Sequence, residues 1–350
     1  MKDISRRHAI GLGAVAVTSA MLPKLADAAS SDNSTDVRPK FKILSFCGGG
    51  IRGLSSVTML NVLYQKFPEI ISGADLLAGC STGSGIVAAL VNGATPEDLI
   101  NYYLTTEYNF FKVPSKIPSL PAYSVELFAA GVHSRYGQQT LKDISQNQSK
   151  RVVLTSFNVG DDATPWEAIL FNNFPGSSTA NTLLADAVVS SGAMPGMFGS
   201  YQGTVDGAFV NHDPTLAAIA LAVNSGVNPT DIVAICFGTG FMASSLGMAT
   251  KHWGAEQWQL GDPKNPYNLS PLLINGTGSP ILNISLNGTS TNLMPMLAGM
   301  LLPQRYAYLN PTLEFFIPEN DTDPADLDYL QAKSLEVDFS LAEKVLALHW

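Results

Sequence analysis

A serine between small residues lies where a short apolar run gives way to a helical pattern. The motif G-x-S-x-G covers Gly79, Cys80, Ser81, Thr82 and Gly83. The preceding "DLLAG" predicts a strand, and "STGSGIVAALVNG" predicts a helix. A strand–turn–helix setting is typical of a nucleophile elbow, in which the serine hydroxyl projects near the positive end of a helix. We therefore predict Ser81 as a nucleophile. The alternative is a Ser/Thr/Gly loop that only caps a helix.

A glycine-rich loop follows the apolar run "FKILSF" and precedes the helical pattern "LSSVTMLNVLYQKF". It is formed by Gly48, Gly49, Gly50, Ile51, Arg52 and Gly53. Such a loop either cradles nucleotide phosphates or aims N–H groups at an oxygen that becomes negative during a reaction. A dinucleotide site also needs an acidic residue at the end of a second strand, about 20 residues on. The nearest one, Glu69, follows a helix and a proline. The pattern therefore favours an oxyanion loop over dinucleotide binding.

A serine nucleophile needs a base, and an aspartate is the better candidate. The histidines downstream of the first 28 residues each resemble surface or capping residues: His133, His212, His252 and His349. Asp206 is followed by the small residues Gly207 and Ala208, which allow another backbone to come close. Burial among apolar groups raises a carboxyl pKa and makes it a competent general base near neutral pH. Taken alone, D-G-A would indicate only a tight turn.

The glycine loop, the serine motif and the aspartate motif occur in this order, and together they resemble the patatin-like phospholipase family. Its pattern is D-G-G-G-x-R/K-G, then G-x-S-x-G, then D-G-A/G. The resemblance implies oxyanion donors at Gly48, Gly49 and Gly50, with Arg52 as the basic loop residue. It also implies a catalytic dyad of Ser81 and Asp206. Similar stretches extend from about residue 41 to about residue 240, but Cys47 stands where the family usually has an aspartate.

This resemblance implies a lipid acyl hydrolase of the phospholipase A or lysophospholipase type. Such an enzyme cleaves acyl esters through an acyl-enzyme and needs no cofactor. The sequence shows no His, Cys or carboxylate cluster with the spacing of metal ligands, so we expect no metal. Two alternatives stay open: a serine esterase or thioesterase for small soluble substrates, and, less favoured, a dinucleotide-binding protein.

The elements that must position these residues alternate between strands and helices from Phe41 onward. Repeated βα units predict an α/β fold, here a three-layer α/β/α sandwich with a mostly parallel central sheet. We expect one hydrolase domain over residues 41–350. The run "DIVAICFGTG" predicts a strand buried on both faces. In "DPTLAAIALAVNSG", Asp213 is the expected N-cap and Pro214 the first helical residue.

Composition limits the possible partners. The 350 residues carry a net charge of −9 and contain no basic run, which argues against nucleic acid and against electrostatic docking on anionic lipid. Two apolar stretches are candidates for a lipid-facing rim: "YNFFKVPSKIPSLPAY" (108–123) and "LMPMLAGMLLP" (293–303). The alternative for them is a proline-rich loop and a buried helix. Cys47, Cys80 and Cys236 lie in or beside apolar runs and predict buried free thiols rather than disulfides.

The first 28 residues predict an export signal. Arg6 and Arg7 precede the mild apolar run "AIGLGAVAVTSAML", and "ADA" at 26–28 resembles a signal peptidase site. Paired arginines indicate a bacterial twin-arginine signal, although an ordinary secretory signal is the alternative. The apolar run is too short to span a bilayer comfortably. We therefore expect a periplasmic or secreted protein with a flexible leader at 29–40 and no transmembrane segment in the mature chain.

Overall fold

The computed structural model describes residues 40–105, 111, 114–117, 119–160, 165–242, 246–262 and 279–350. The expected signal at 1–28 and nearly all of the expected leader lie outside the described residues, as does part of the aromatic stretch 108–123. The residues from Lys40 to Trp350 make up one compact unit.

Within the described residues, the central sheet has seven strands, and most of its pairings are parallel. Its strands are β1 (Phe41–Phe46), β2 (Leu76–Cys80), β3 (Arg151–Asn158), β4 (Glu167–Asn172), β5 (Thr204–Asp206), β6 (Ile232–Phe237) and β8 (Tyr306–Leu309). A separate small sheet pairs β7 (Phe241–Met242) with β9 (Thr312–Leu313). The order in the central sheet is β4-β3-β2-β1-β6-β8, with β5 also on β3. Of these described strands of the central sheet, β4 and β5 run antiparallel to their neighbour β3, and the other pairings are parallel.

Helices connect the strands and cover the sheet. In the described residues they are α1 (Gly53–Lys66), α2 (Thr82–Val91), α3 (Pro96–Thr105), α4 (Val125–Tyr136), α5 (Leu141–Gln148), α6 (Leu184–Gly192), α7 (Ala208–Asn211), α8 (Thr215–Asn224), α9 (Ala255–Leu260), α10 (Pro280–Asn287), α11 (Met294–Leu301), α12 (Pro324–Leu335) and α13 (Ser340–His349). Short 3₁₀ segments lie at Gly50–Arg52, Pro229–Asp231 and Gly247–His252, and a π-helical segment at Gly288–Leu293 joins α10 to α11.

Both faces of the sheet are buried. Along β1, Leu44 and Phe46 belong to a core shared with α1, α2 and α6, whereas Ile43 belongs to a second core shared with α8 and α11. This alternation follows from the two-residue period of a strand. Helical layers on both faces confirm the expected α/β/α sandwich with a mostly parallel sheet. Among the described residues, no helix combines the length and apolarity needed to span a membrane.

The start of α8 differs by one residue from the sequence-based expectation. Pro214 is the N-cap and the helix begins at Thr215, so Asp213 lies one position further out. The carboxylate of Asp213 nevertheless accepts from the N–H of Thr215 at 2.9 Å. It therefore satisfies a helix-end donor much as an N-cap residue does.

One edge of β3 carries two different strands end to end. Cys80 of β2 pairs with Thr155, and Asp206 of β5 pairs with the next residue, Ser156. Because β4 occupies the other edge of β3, β5 continues the line of β2 beyond its carboxyl end. Gly207 passes so close to the carbonyl of Thr155 that a Cβ atom there would collide with it. The fold thus delivers Asp206 to the turn that follows Cys80.

Candidate active site

Ser81 lies in the tight turn between β2 and α2. Its φ of 52° and ψ of −123° are rare for a residue with a side chain, and such backbone strain costs about 1–3 kcal/mol. The turn is held by the hydroxyl of Ser191, which accepts from the Ser81 N–H at 2.9 Å, and by Ser84, whose N–H donates to the Ser81 carbonyl at 2.9 Å. The structure therefore places Ser81 at the N-terminus of α2 in the geometry of a nucleophile elbow.

Asp206 is a buried carboxyl group beside this turn, with 1% of its surface exposed. Its Oδ1 accepts from the N–H of Ala208 at 2.8 Å and faces the Cys80 thiol at 3.9 Å. Its Oδ2 has no hydrogen-bond partner among the described residues. Burial raises the pKa of Asp206 to about 7. The nearby Ser81 hydroxyl and the Ala208 N–H favour the charged carboxylate and so reduce this increase. Asp206 is thus poised to exchange a proton near neutral pH.

The glycine loop lies directly against the serine. A Cβ atom on Gly48 would stand 3.2 Å from Ser81 Cβ and 3.1 Å from Nε2 of His212. The Gly48 N–H, however, already donates to the His212 carbonyl at 3.2 Å. The Gly48 N–H is therefore engaged in this structure, and its expected role as an oxyanion donor stays a prediction. The N–H groups of Gly49 and Gly50 have no acceptor within the described part of the chain, so they are the available donors.

A cavity of about 370 Å³ opens beside Ser81 and Gly50. Most of its wall is apolar or aromatic: Ile86, Ala89, Leu99, Tyr102, Tyr103, Phe111, Phe128, Val132, Val188, Met194, Met197 and Phe198. The wall is built by α2, α3, α4 and α6, by Phe111 between α3 and α4, and by the segment that follows α6. Its composition suits a hydrocarbon chain whose polar end lies at Ser81.

Of the four histidines in the described residues, His212 is the one that lies against the glycine loop and Ser81, and it lacks the features of a catalytic base. Burial, together with the positive charge of Arg52, lowers the pKa of its imidazole to about 3. Its Nδ1 is buried without a partner in the described residues, whereas a triad histidine is oriented there by a carboxylate. The sequence indicated a surface or capping residue. His212 is indeed a capping residue, since it is the C-cap of α7, but its carbonyl also accepts from Gly48 and its ring packs on the loop.

His133 forms a histidine–aspartate pair away from the serine. Its Nε2 lies 3.0 Å from Asp186 Oδ1 and 3.2 Å from the Tyr201 hydroxyl, which itself donates to Asp186 at 2.7 Å. The pair ties α4 to α6. His252 is exposed at the end of a 3₁₀ segment, and His349 lies at the end of α13. None of these three donates to or accepts from Ser81 in any contact of the described chain.

The fold also brings together three side chains whose proximity could not be predicted from their spacing in the sequence. Ligand atoms of Cys47, Asp213 and Cys236 lie within 4.8 Å of one another, all buried. The two thiol sulfurs are 3.6 Å apart, and the Cys236 thiol donates to Asp213 at 3.4 Å. Hydrogen bonding between the thiols and burial raise the pKa of Cys47, and burial raises that of Cys236. Without a cation beside them, both groups are therefore neutral thiols near pH 7. All three cysteines are free and buried, as predicted.

Comparison with known proteins identifies the family. The sequence model described as "Patatin-like phospholipase" matches residues 44–219. The chain is 30% identical over 295 residues to CotR of Bacillus subtilis, covering 82% of this chain and 91% of that protein. It is 28% identical over 320 residues to the protein teg of Priestia megaterium, covering 89% and 99%. The structure of VipD from Legionella pneumophila covers 89% of this chain and 67% of that one, with a TM-score of 0.46 and 12% identity.

The raised pKa of Asp206 makes a prediction about stability. The folded-state pKa of about 7 lies above the unfolded value of about 4, so this group's contribution to stability is lost as pH rises between the two. Asp206→Asn removes the buried charge. We expect the variant to exceed the wild type in free energy of unfolding by about 2–4 kcal/mol at pH 8 and by much less at pH 5. Denaturant titrations at both pH values measure this. If the variant and the wild type differed in free energy of unfolding by the same amount at pH 5 and pH 8, the raised pKa of Asp206 would be contradicted.

Proposed function

The chain belongs to the patatin-like phospholipase family, which makes it a hydrolase of lipid esters, and we propose that it cleaves acyl esters through a Ser81–Asp206 dyad. The observation that carries the proposal is the apolar cavity, which ends at an elbow serine beside a buried aspartate. The proposed substrates are phospholipids or lysophospholipids, bound with one acyl chain in the cavity. No step of the proposed reaction needs a cofactor.

Acylation begins with proton transfer. The Asp206 carboxylate accepts the Ser81 hydroxyl proton while Ser81 Oγ bonds to the ester carbonyl carbon. The carbonyl oxygen becomes an oxyanion and rests on the N–H groups of Gly49 and Gly50, close to the positive end of α2. Collapse of this intermediate expels the alcohol, which takes the proton from Asp206 and leaves an acyl ester on Ser81.

Deacylation repeats the same steps with water. Asp206, again ionised, accepts a proton from water as the water oxygen attacks the acyl-enzyme. The second oxyanion uses the same two N–H groups, and its collapse releases the fatty acid and returns the proton to Ser81. A base with a pKa near 7 suits both halves, because it must accept a proton in one step and give it back in the next.

A second candidate function is hydrolysis of small soluble esters or thioesters, which the same serine, loop and aspartate would support. The cavity favours lipid, since a small substrate would leave most of its apolar wall exposed to water. The dinucleotide alternative is disfavoured because Gly48 packs on Ser81 Cβ, which leaves the loop facing a serine nucleophile.

The dyad makes a prediction for variants assayed on a soluble ester. Ser81→Ala should abolish turnover, and Asp206→Asn should lower kcat by about 10²–10⁴, the usual cost of losing a general base. His133→Ala should retain nearly full activity, because its partners are Asp186 and Tyr201. Steady-state kinetics, with labelling of Ser81 by a fluorophosphonate, measure both effects.

His133→Ala is the matched control, since it breaks a histidine–aspartate pair outside the site. A folded His133 variant as inactive as Ser81→Ala would contradict the dyad. An Asp206→Asn variant with wild-type kcat would also contradict it.

We further propose that α10 and α11 meet the lipid surface. The stretch from Pro280 to Leu301 contains no Asp, Glu, Lys or Arg. On α10, Leu286 packs with Cys80 and Ala208 next to the dyad, so this helix lies beside the site. Exposed apolar side chains extend along both helices: Ile281, Ile284, Met296, Met300 and Leu301. An uncharged apolar surface on a chain of net charge −9 suits a zwitterionic membrane better than an anionic one.

Replacing Met296 and Met300 with serine tests this surface. Their side chains are 51% and 58% exposed, so folding should be unaffected. We expect at least a several-fold loss of binding to phosphatidylcholine vesicles, because about 25 cal/mol is lost per Å² of buried apolar area. Cleavage of a soluble ester should be unchanged. The control is Leu335→Ser on α12, where the side chain is 60% exposed outside this surface. Equal vesicle binding by all variants would rule the surface out.

A further inference from the structure

The glycine loop is held by a segment nearly 270 residues further along the chain. Nη2 of Arg52 donates to Oε1 of Glu319 at 2.9 Å, and the N–H of Ile51 donates to the Glu319 carbonyl at 2.7 Å. Gly50, with a φ of +57°, is so close to that carbonyl that any side chain would collide with it. Glu319 lies well beyond residues 44–219, the part of the chain that matches the family.

The ion pair is shielded from water. The side chains of Arg52 and Glu319 are 9% and 17% exposed, and the guanidinium also lies 5.1 Å from the ring centre of Phe316. A pair this buried is far less screened than a surface pair, and removing one partner leaves the other charge buried alone. Arg52 therefore depends on Glu319 for its position.

Arg52 in turn fixes the peptide between Gly49 and Gly50. Its backbone N–H donates to the Gly49 carbonyl at 3.1 Å, and its Nε approaches the same oxygen at 3.4 Å. In a trans peptide the carbonyl and the following N–H point in opposite directions. Holding the Gly49 carbonyl towards Arg52 therefore aims the Gly50 N–H away from Arg52. Gly50 borders the cavity together with Ser81.

We propose that Glu319 is a positioning residue for the oxyanion hole, which orients the Gly50 N–H by anchoring Arg52. The proposal rests on the hydrolase function proposed above. It gives the C-terminal part of the chain a role in a site whose motifs all lie before residue 210. A flipped Gly49–Gly50 peptide would turn a carbonyl oxygen towards the substrate oxyanion and remove a donor at the same time.

Glu319 also acts on the base through its charge, which provides a second readout. Among the described residues, the titratable groups that act on Asp206 include the Cys80 thiol from β2 and the Glu319 carboxylate, and neutral His212 contacts Gly48. On the neighbouring α6, Asp186 is engaged by His133 and Tyr201. The negative charge of Glu319 raises the pKa of Asp206. Neutralising it, which also leaves Arg52 unopposed, should lower that pKa.

The experiment compares Glu319→Gln and Glu319→Asp with the wild type on a soluble ester. We expect Glu319→Gln to lower kcat about 10- to 100-fold, the scale of a misplaced or lost oxyanion donor, with KM nearly unchanged. The acidic limb of its pH profile should move to lower pH. Glu319→Asp keeps the charge but shortens the reach to Arg52, so kcat should fall while the limb stays in place. The control is Glu314→Gln. It removes an exposed carboxylate that lies 3.0 Å from Nζ of Lys333, and it should change neither kcat nor the pH profile.

The outcomes separate the two proposals. A wild type without esterase activity, or one unaffected by Ser81→Ala, would overturn the proposed function. An active wild type with Glu319 variants of unchanged kcat and pH profile would overturn the positioning role alone. A lower melting temperature without a kcat change would make Glu319 merely structural and overturn it too. If Glu319→Gln does not fold, Glu319→Asp decides by its kcat.

Discussion

The site depends on the way two strands share one edge of β3. Thr155 and Ser156 are consecutive residues, yet the first pairs with Cys80 and the second with Asp206. The end of β2 and the end of β5 therefore meet, although they are separated by more than 120 residues in sequence. The backbone ladder sets this distance, so it does not depend on long flexible side chains. Gly207 permits the approach because a Cβ atom would collide with Thr155.

The packing that brings Ser81 and Asp206 together also lowers the stability of the folded protein. Ser81 holds a rare backbone conformation, Asp206 is buried, and one of its carboxylate oxygens has no hydrogen-bond partner among the described residues. Strain and unpaired polar groups of this kind concentrate at functional sites. Burial is the main cause of the raised pKa of Asp206, so the feature that opposes stability at neutral pH is also the one that suits proton transfer.

The local motifs could be predicted from sequence because glycine spacing, small neighbours and strand–helix alternation are local properties. Ser81, the loop at 48–53 and the sandwich followed from these patterns. The resemblance to the patatin-like family, which suggested Asp206 as base, is confirmed by the match over residues 44–219. The role of Asp206 itself stays a proposal.

Long-range contacts could not be predicted. Gly48 is not a free donor because its partner is the carbonyl of His212, which no spacing rule connects to it. Glu319 reaches Arg52 only after the C-terminal part of the chain has folded against the loop. The antiparallel direction of β4 and β5 was also not evident, since an apolar run does not encode the direction of its neighbour.

The proposed dyad depends on one property, the proton affinity of a buried aspartate next to the nucleophile. It can be measured directly by following the side-chain carboxyl ¹³C resonance of Asp206 against pH in aspartate-labelled protein, assigned by its loss in the Asp206→Asn variant. We expect this carboxyl to titrate near pH 7, well above an ordinary aspartate of about 4, because burial disfavours its charged form. A midpoint near 4 would show a solvated carboxylate and would contradict Asp206 as a base tuned by burial.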